Sequence, residues 1–173
     1  MSTHVTFPAR NAPFTEEPGF YADAGLWLFG NVRLLDGRLS HLSDALGPSA
    51  HVPSRFDELE QRAERLVLEG SVIVTGIHNE AHRRVAVVPL RWGAPRILVC
   101  SGGFRHHLGP DLREEPFRAA RLWRFQFDAS TDLVISRRAP DKLPTFALHN
   151  PTVDRLIKRI VRREVPGLLF QGG

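Results

Sequence analysis

His78, Glu80 and His82 are the residues of this chain most readily given a chemical task. Two imidazoles four residues apart fall on one face of a helix, and a carboxyl group between them can carry a proton. In the zinc-hydrolase phrase His-Glu-x-x-His, the glutamate directly follows the first histidine. Here it comes one position later, which rotates it away from the place of the base. No third ligand presents itself beyond His106 and His107, so neither a metal nor a cofactor is expected, and the histidines read as solvated or phosphate-contacting groups. Glu80 near a helix start complements the helix dipole, orients a ribose hydroxyl, or serves as acid/base if the chain is an enzyme. Cys100, the single cysteine, lies in an apolar run. It reads as a buried, inert thiol, with no internal disulfide and no multi-cysteine zinc module. No Ser-His-Asp or Cys-His arrangement can be argued from spacing.

The histidines belong to the stretch from Gly70 to Arg105, around which the chain is organised. Val72 to Val74 is a β-branched run with a turn glycine at each end, the pattern of a buried strand. A helical period follows from near Asn79, with Ala81, Val85 and Val88 on one face and Pro89 and Gly93 ending it. A second apolar run, Ile97 to Cys100, stops at Ser101-Gly102-Gly103. Strand, crossover helix and parallel strand make a βαβ unit, whose strands end on one edge of the sheet, where ligands of open α/β sheets bind. A site there draws on Thr75, Gly76, His78, Asn79 and Arg83 from the first loop, and Ser101, Gly102, Gly103 and Arg105 from the second. Backbone N–H groups of the glycine turns and the start of the helix would face an anion, although βα turns also favour glycine for steric reasons alone. Neither GxGxxG nor GxxxxGK[ST] is present, which disfavours a dinucleotide site and a P-loop ATPase.

With 173 residues, 42% hydrophobic and 24% charged, the chain suits one soluble domain. All but two of its 23 basic residues are arginine, the exceptions being Lys142 and Lys158. Arginine offers planar, bidentate contacts to phosphate and stacks on bases, while an arginine bias also follows from genomic base composition. The formal charge of +4 is modest. No apolar stretch is long enough to span a bilayer and no signal peptide is evident, so no membrane partner and a cytoplasmic location are expected.

Residues 1–19, with three prolines and no periodicity, read as a flexible N-terminal arm ahead of a single domain over 20–173. Leu26 to Phe29 is a short strand or a helical turn, and Arg38 to Leu46 is ambiguous. Ser54 and Asp57 form a capping-box variant that starts a helix with Phe56, Leu59, Ala63, Leu66 and Val67 as its apolar stripe. Phe117, Ala120 and Trp123 suggest a helix, while Leu122 to Phe127 alternates as a strand would. Asp132 to Ser136 is a third buried strand, followed by Arg137-Arg138 at the same edge. Asn150 as N-cap and Pro151 at the first position start a last helix, with Val153, Leu156, Ile157 and Ile160 buried and Arg155, Lys158, Arg159, Arg162 and Arg163 exposed. Val165 to Phe170 is a final strand or a tail. Strands alternating with helices predict a Rossmann-like α/β three-layer sandwich with a mostly parallel sheet.

Val72-Ile-Val-Thr-Gly-Ile-His-Asn-Glu-Ala-His-Arg-Arg and Pro95-Arg-Ile-Leu-Val-Cys-Ser-Gly-Gly-Phe resemble the strand-turn-helix and second strand of the DNA-processing protein A (DprA/Smf) family, within the superfamily that also holds LOG-type nucleotide hydrolases. Gly30-Asn31-Val-Arg-Leu34-Leu35 is similar to a Gly-Asn-x-x-Leu-Leu phrase ahead of the domain in a small, divergent branch of that family. His149-Asn150, before the helix carrying Arg155, is similar to its late Arg-Asn-Arg phrase. The likeness covers about Phe29 to Val161. The Gly-Ser-Arg loop after the family's first strand has no counterpart in Arg38 to Pro48, the late Ser-Gly-(Ser/Thr) and Thr-Ala segment is missing, and the Pro-Gly-Gly-x-Gly-Thr motif of LOG-type hydrolases is absent.

The resemblance implies a bacterial DNA-processing role: binding of single-stranded DNA, or of a nucleotide, at the strand-end pocket without covalent catalysis, by a chain able to form a homodimer. Arginines would hold phosphates, and Phe104 or Trp92 would stack on bases. Two other readings stay open. One is an enzyme or sensor for a nucleotide or nucleotide-sugar with Glu80 as acid/base. The other is a degenerate scaffold that binds only protein partners.

Overall fold

The two apolar runs that frame the histidines lie side by side as parallel strands, β4 (Val72–Gly76) and β5 (Arg96–Cys100), with Val74 opposite Ile97 and Gly76 opposite Val99. A computed structural model describes residues 15–43, 55–144 and 150–168. Around this pair stand β1 (Thr15–Tyr21), β2 (Leu26–Gly30), the two-residue β3 (Leu39–Ser40) and β6 (Leu133–Ser136), in the sheet order β1-β2-β6-β5-β4-β3. Strands β3, β4, β5 and β6 are parallel, and β2 and β1 extend the sheet antiparallel beyond β6. Every residue of β4, β5 and β6 is buried, as expected of parallel strands covered on both faces. The fold is therefore the Rossmann-like α/β type with a mostly parallel sheet.

Alternation along the strands sorts the core into two layers. Val72, Val74, Ile97, Val99, Leu133 and Ile135 face α5 (Pro151–Val161), which buries Val153, Leu156, Ile157 and Ile160 against them. Ile73, Leu98, Cys100 and Val134 face the other way, toward α1 (Phe56–Leu68), α2 (Glu80–Arg91), α3 (Phe104–Leu108) and α4 (Arg118–Trp123). The Gly30-Asn31-x-x-Leu34-Leu35 phrase has structural work in this core. Asn31 donates its backbone N–H to Asp132 O at 2.9 Å, and Leu34 and Leu35 are buried in a 3-10 turn over Val32–Asp36.

Several boundaries differ from the sequence reading. The arm does not reach Gly19: residues 15–19 pair with β2 as the sheet's edge, and their run Thr-Glu-Glu-Pro-Gly is polar because an edge strand faces water and tolerates proline. Residues 1–14 lie outside the described residues, as do the Ser54 cap and His149. Leu26 to Phe29 is strand, not helical turn, and among the described residues of Arg38 to Leu46 only Leu39–Ser40 pairs. Pro89 sits inside α2, which runs on to Arg91. Leu122 to Phe127 is no strand; α4 ends at Trp123, and Gln126 makes one isolated bridge to Glu114. Val165 and Leu168 are buried in a turn rather than a strand.

The amino edge of the sheet is closed by charge. Arg96, fully buried, donates Nε to Asp132 Oδ2 at 2.9 Å, one terminal NH2 group to Ala86 O at 3.0 Å and the other to Glu115. Arg124 donates Nε to Glu115 Oε1 at 2.7 Å and also pairs with Asp132. Burial works against the charge on Arg124, but Asp132 and Glu115 outweigh it and hold that guanidinium above its ordinary pKa. Removing one partner of such a buried network leaves uncompensated charge, at a cost of about 3–5 kcal/mol. Arg96→Met is expected to lower stability by that amount in urea unfolding, with an unchanged slope. A loss under about 1 kcal/mol, the scale of a surface pair, would refute the assignment.

Candidate functional site

At the carboxyl edge of the parallel strands, β4 stops at Gly76 and Asn79 begins α2. Asn79 Oδ1 accepts the N–H of His82 at 2.9 Å, an N-cap bond at the place where the sequence starts the helix, and also stands 2.8 Å from His82 Nδ1. An amide oxygen can only accept, so His82 Nδ1 carries a proton and donates it, leaving Nε2 to face outward from that pair. Gly76 has the strand parity of the α5 face. A Cβ there would come within 2.6 Å of His78 Nδ1 and 3.2 Å of His82 Cδ2, so the missing side chain is the space the two rings fill. The ring centroids are 4.1 Å apart. From the opposite layer, the first turn of α5 brings Asp154: its Oδ1 is 3.2 Å from His82 Nε2 and 3.9 Å from His78 Nε2. The third acidic or basic partner that the spacing of the histidines did not offer is thus Asp154, not His106 or His107.

A cavity of about 210 Å³ opens beside this cluster between the ends of β5 and β6 and the start of α5. Its lining is Cys100, Ser101, Arg137, Arg138, Asn150, Thr152, Val153 and Leu156. Asn150 caps α5 by accepting the Val153 N–H at 3.2 Å, with Pro151 in the first turn as its sequence implies. Arg138 donates to Leu143 O at 2.8 Å. Burial, then the nearby positive charges of Arg159 and Arg155, lower the pKa of Arg137. Arg137 and Arg138 thus wall the cavity near the N-terminus of α5, and Arg155 and Arg159 along that helix add positive charge to the surroundings of Arg137. Burial pushes the Cys100 thiol up to about 12, so this lining residue is inert as a nucleophile.

Of the site residues named from sequence, Ser101, Arg137, Arg138 and Asn150 meet in this cavity, with Arg155 acting on Arg137 through charge. His78 and Asn79 belong to the adjoining histidine cluster. In the second glycine turn the two glycine amides are already bonded. Gly103 N–H is bonded to Lys142 O at 2.7 Å and Gly102 N–H to His107 Nε2 at 3.2 Å, under a roof formed by residues 139–144. A Cβ on Gly102 would come within 2.6 Å of Pro144, so the glycines here serve close packing. Thr75 is buried and donates its hydroxyl to Gly76 O at 3.1 Å. Arg105 is paired with Asp141 at 2.8 Å. Phe104 is in the core and cannot stack on a base, and Trp92 caps the far end of α2.

Arg83 and Glu80 line a second groove, of about 390 Å³, on the helical face beside Arg91, Phe117 and Trp123. Glu80 is exposed there and pairs with Arg84 at 3.4 Å. Sequence reasoning missed Asp154, Thr152 and Arg159. Asp154 and Thr152 look like ordinary first-turn residues of α5, and only the packing of α5 beneath β4 carries them to the site.

No family model, curated protein or solved structure matches the chain. Among the described residues, no helix is long and apolar enough to cross a membrane.

His107 gives the stability of the fold a pH dependence. Burial, followed by the charges of His106 and Arg83, lowers its pKa to about 4, in keeping with its Nε2 accepting the Gly102 N–H. The unfolded chain takes up this proton near the ordinary value of 6.5, before the folded chain does. Stability is therefore expected to fall as the pH drops from about 6.5 to 4 and then level off, by up to roughly 3 kcal/mol for this group. In urea unfolding across that range, His107→Gln should show a correspondingly flatter profile than the unaltered chain. Parallel profiles would remove His107 as the cause.

Proposed function

We propose that the chain binds a phosphate-bearing ligand at the carboxyl edge of its parallel strands, with single-stranded DNA as the ligand, as a DprA-like nucleic-acid-binding protein. The observation that carries this reading is the cavity walled by Arg137 and Arg138 at the start of α5, with Arg155 and Arg159 adding like charge to Arg137. Guanidiniums crowded together repel one another, and an anion among them relieves that repulsion while the helix N-terminus adds to the attraction. Ser101, Asn150 and Thr152 supply polar groups for the phosphate oxygens or a sugar hydroxyl. The place agrees with the rule that open α/β sheets take ligands outside the carboxyl ends of their strands.

The cavity's small volume favours a second reading: it suits a phosphate and its sugar rather than a whole strand, as a mononucleotide sensor would require. On the DNA reading, one backbone unit occupies the cavity and the strand continues over the exposed Arg138 and Arg155 near the start of α5. Binding at such a surface is driven by counterion release and weakens steeply with salt.

Fluorescence anisotropy of a labelled oligothymidine at two salt concentrations separates these readings. Salt-sensitive binding that mononucleotides do not displace, and that Arg137→Ala weakens about tenfold while reducing the salt slope by roughly 0.7, is the expected result. Arg162→Ala, at the opposite end of α5, should leave it unchanged. Displacement by a mononucleotide would move the assignment to a nucleotide pocket, and no binding at either salt would sink both.

A further inference from the structure

We infer that His78, His82 and Asp154 form a binding site for a divalent transition-metal ion, with zinc as the best fit. One ligand atom from each of the three lies within 4.8 Å of the others. Ligands at about 2.0–2.2 Å from a tetrahedral zinc stand roughly 3.3–3.6 Å apart, which is the scale of the 3.2 and 3.9 Å separations from Asp154 Oδ1 to the two imidazoles. Two imidazoles and one carboxylate select zinc or its first-row neighbours over magnesium or calcium, which prefer oxygen alone.

The surroundings of the cluster carry the inference further than proximity. The His82 side chain is 1% exposed, and Asn79 holds its Nδ1–H, the arrangement that orients a metal-bound histidine and leaves Nε2 as the ligand atom. That Nε2 makes no hydrogen bond, although Asp154 Oδ1 is only 3.2 Å away. With the proton on Nδ1, Nε2 and the carboxylate oxygen are both acceptors, and a shared cation reconciles two acceptors at that distance. Gly76 supplies the room, because any side chain there would occupy the position of the His78 ring. Asp154, 22% exposed, marks the side from which an ion enters and where water completes the coordination. The site joins the two layers of the fold, since the histidines follow β4 and the carboxylate comes from α5.

Metal binding involves other side chains than the arginine cavity and does not depend on the nucleic-acid reading. It is tested on the full chain, freed of metal by a chelator and without nucleic acid. Titration with Zn²⁺ against a fluorescent competitor is expected to give one equivalent per chain, and Co²⁺ to give the intense visible bands of a tetrahedral site. Asp154→Asn, which preserves shape, and His82→Ala are each expected to weaken Zn²⁺ binding at least tenfold and abolish those bands. His106→Ala should change neither. If His82→Ala does not fold, Asp154→Asn decides alone. Substoichiometric binding by the unaltered chain would overturn the assignment, as would stoichiometric binding that survives Asp154→Asn.

Discussion

Arg96 is the charge on which the sheet is assembled. It opens β5 at the centre of the fold, fully buried, and its guanidinium reaches α2, the segment before α4 and the residue that leads into β6. Taking two guanidiniums and two carboxylates out of water is costly, and the interior repays that cost only when every donor and acceptor is used. Here Arg96 and Arg124 each reach both Glu115 and Asp132, so the network is neutral and bonded in several directions at once. An apolar core fixes which faces are inside, but a bonded charge network also fixes where each chain segment must stop. Without Asp132 at its place, neither the start of β6 nor the Asn31 amide that bonds its backbone oxygen would have a defined position.

That constraint divides the molecule into two ends. The amino edge of the parallel strands is filled by opposite charges that satisfy one another. At the carboxyl edge, by contrast, histidines, a carboxylate and arginines are held apart by the ends of β4, β5 and β6 and the start of α5. Parallel strands make this separation unavoidable, since all four begin on one side and end on the other. Helix α5 contributes most to the carboxyl edge, because one short turn supplies Asn150 and Thr152 to the cavity and Asp154 to the histidines. It packs beneath β4 and β5 through Val153, Leu156 and Ile157, so its first turn is delivered to the strand ends by the same contacts that close the core.

Much of this was legible in residue order. The β-branched runs of β4, β5 and β6, the start of α2 near Asn79, the Asn150 cap and the apolar stripes of α1 and α5 are local patterns, and each appears where those patterns put it. The polar edge strand β1 was not legible, because a strand that faces water carries no hydrophobic signal. Pro89 was misleading for a physical reason as well: proline removes one hydrogen bond of the helix ladder, and the buried Val85, Ala86 and Val88 hold α2 in place across it. Ser101-Gly102-Gly103 reads as an anion-binding turn, yet its amides are spent on His107 and Lys142, a use that only the segment over 139–144 reveals.

By itself, then, the sequence determined the α/β class, the burial of its central strands and the edge where polar residues gather, since periodicity, turn glycines and helix caps act between near neighbours. Tertiary structure alone decided which charged groups meet. Arg96 finds Glu115 and Asp132 across 19 and 36 residues of chain. His78 and His82 find Asp154 from the opposite layer of the sheet. Such pairings depend on register and helix packing over long separations, and no short-range pattern encodes them.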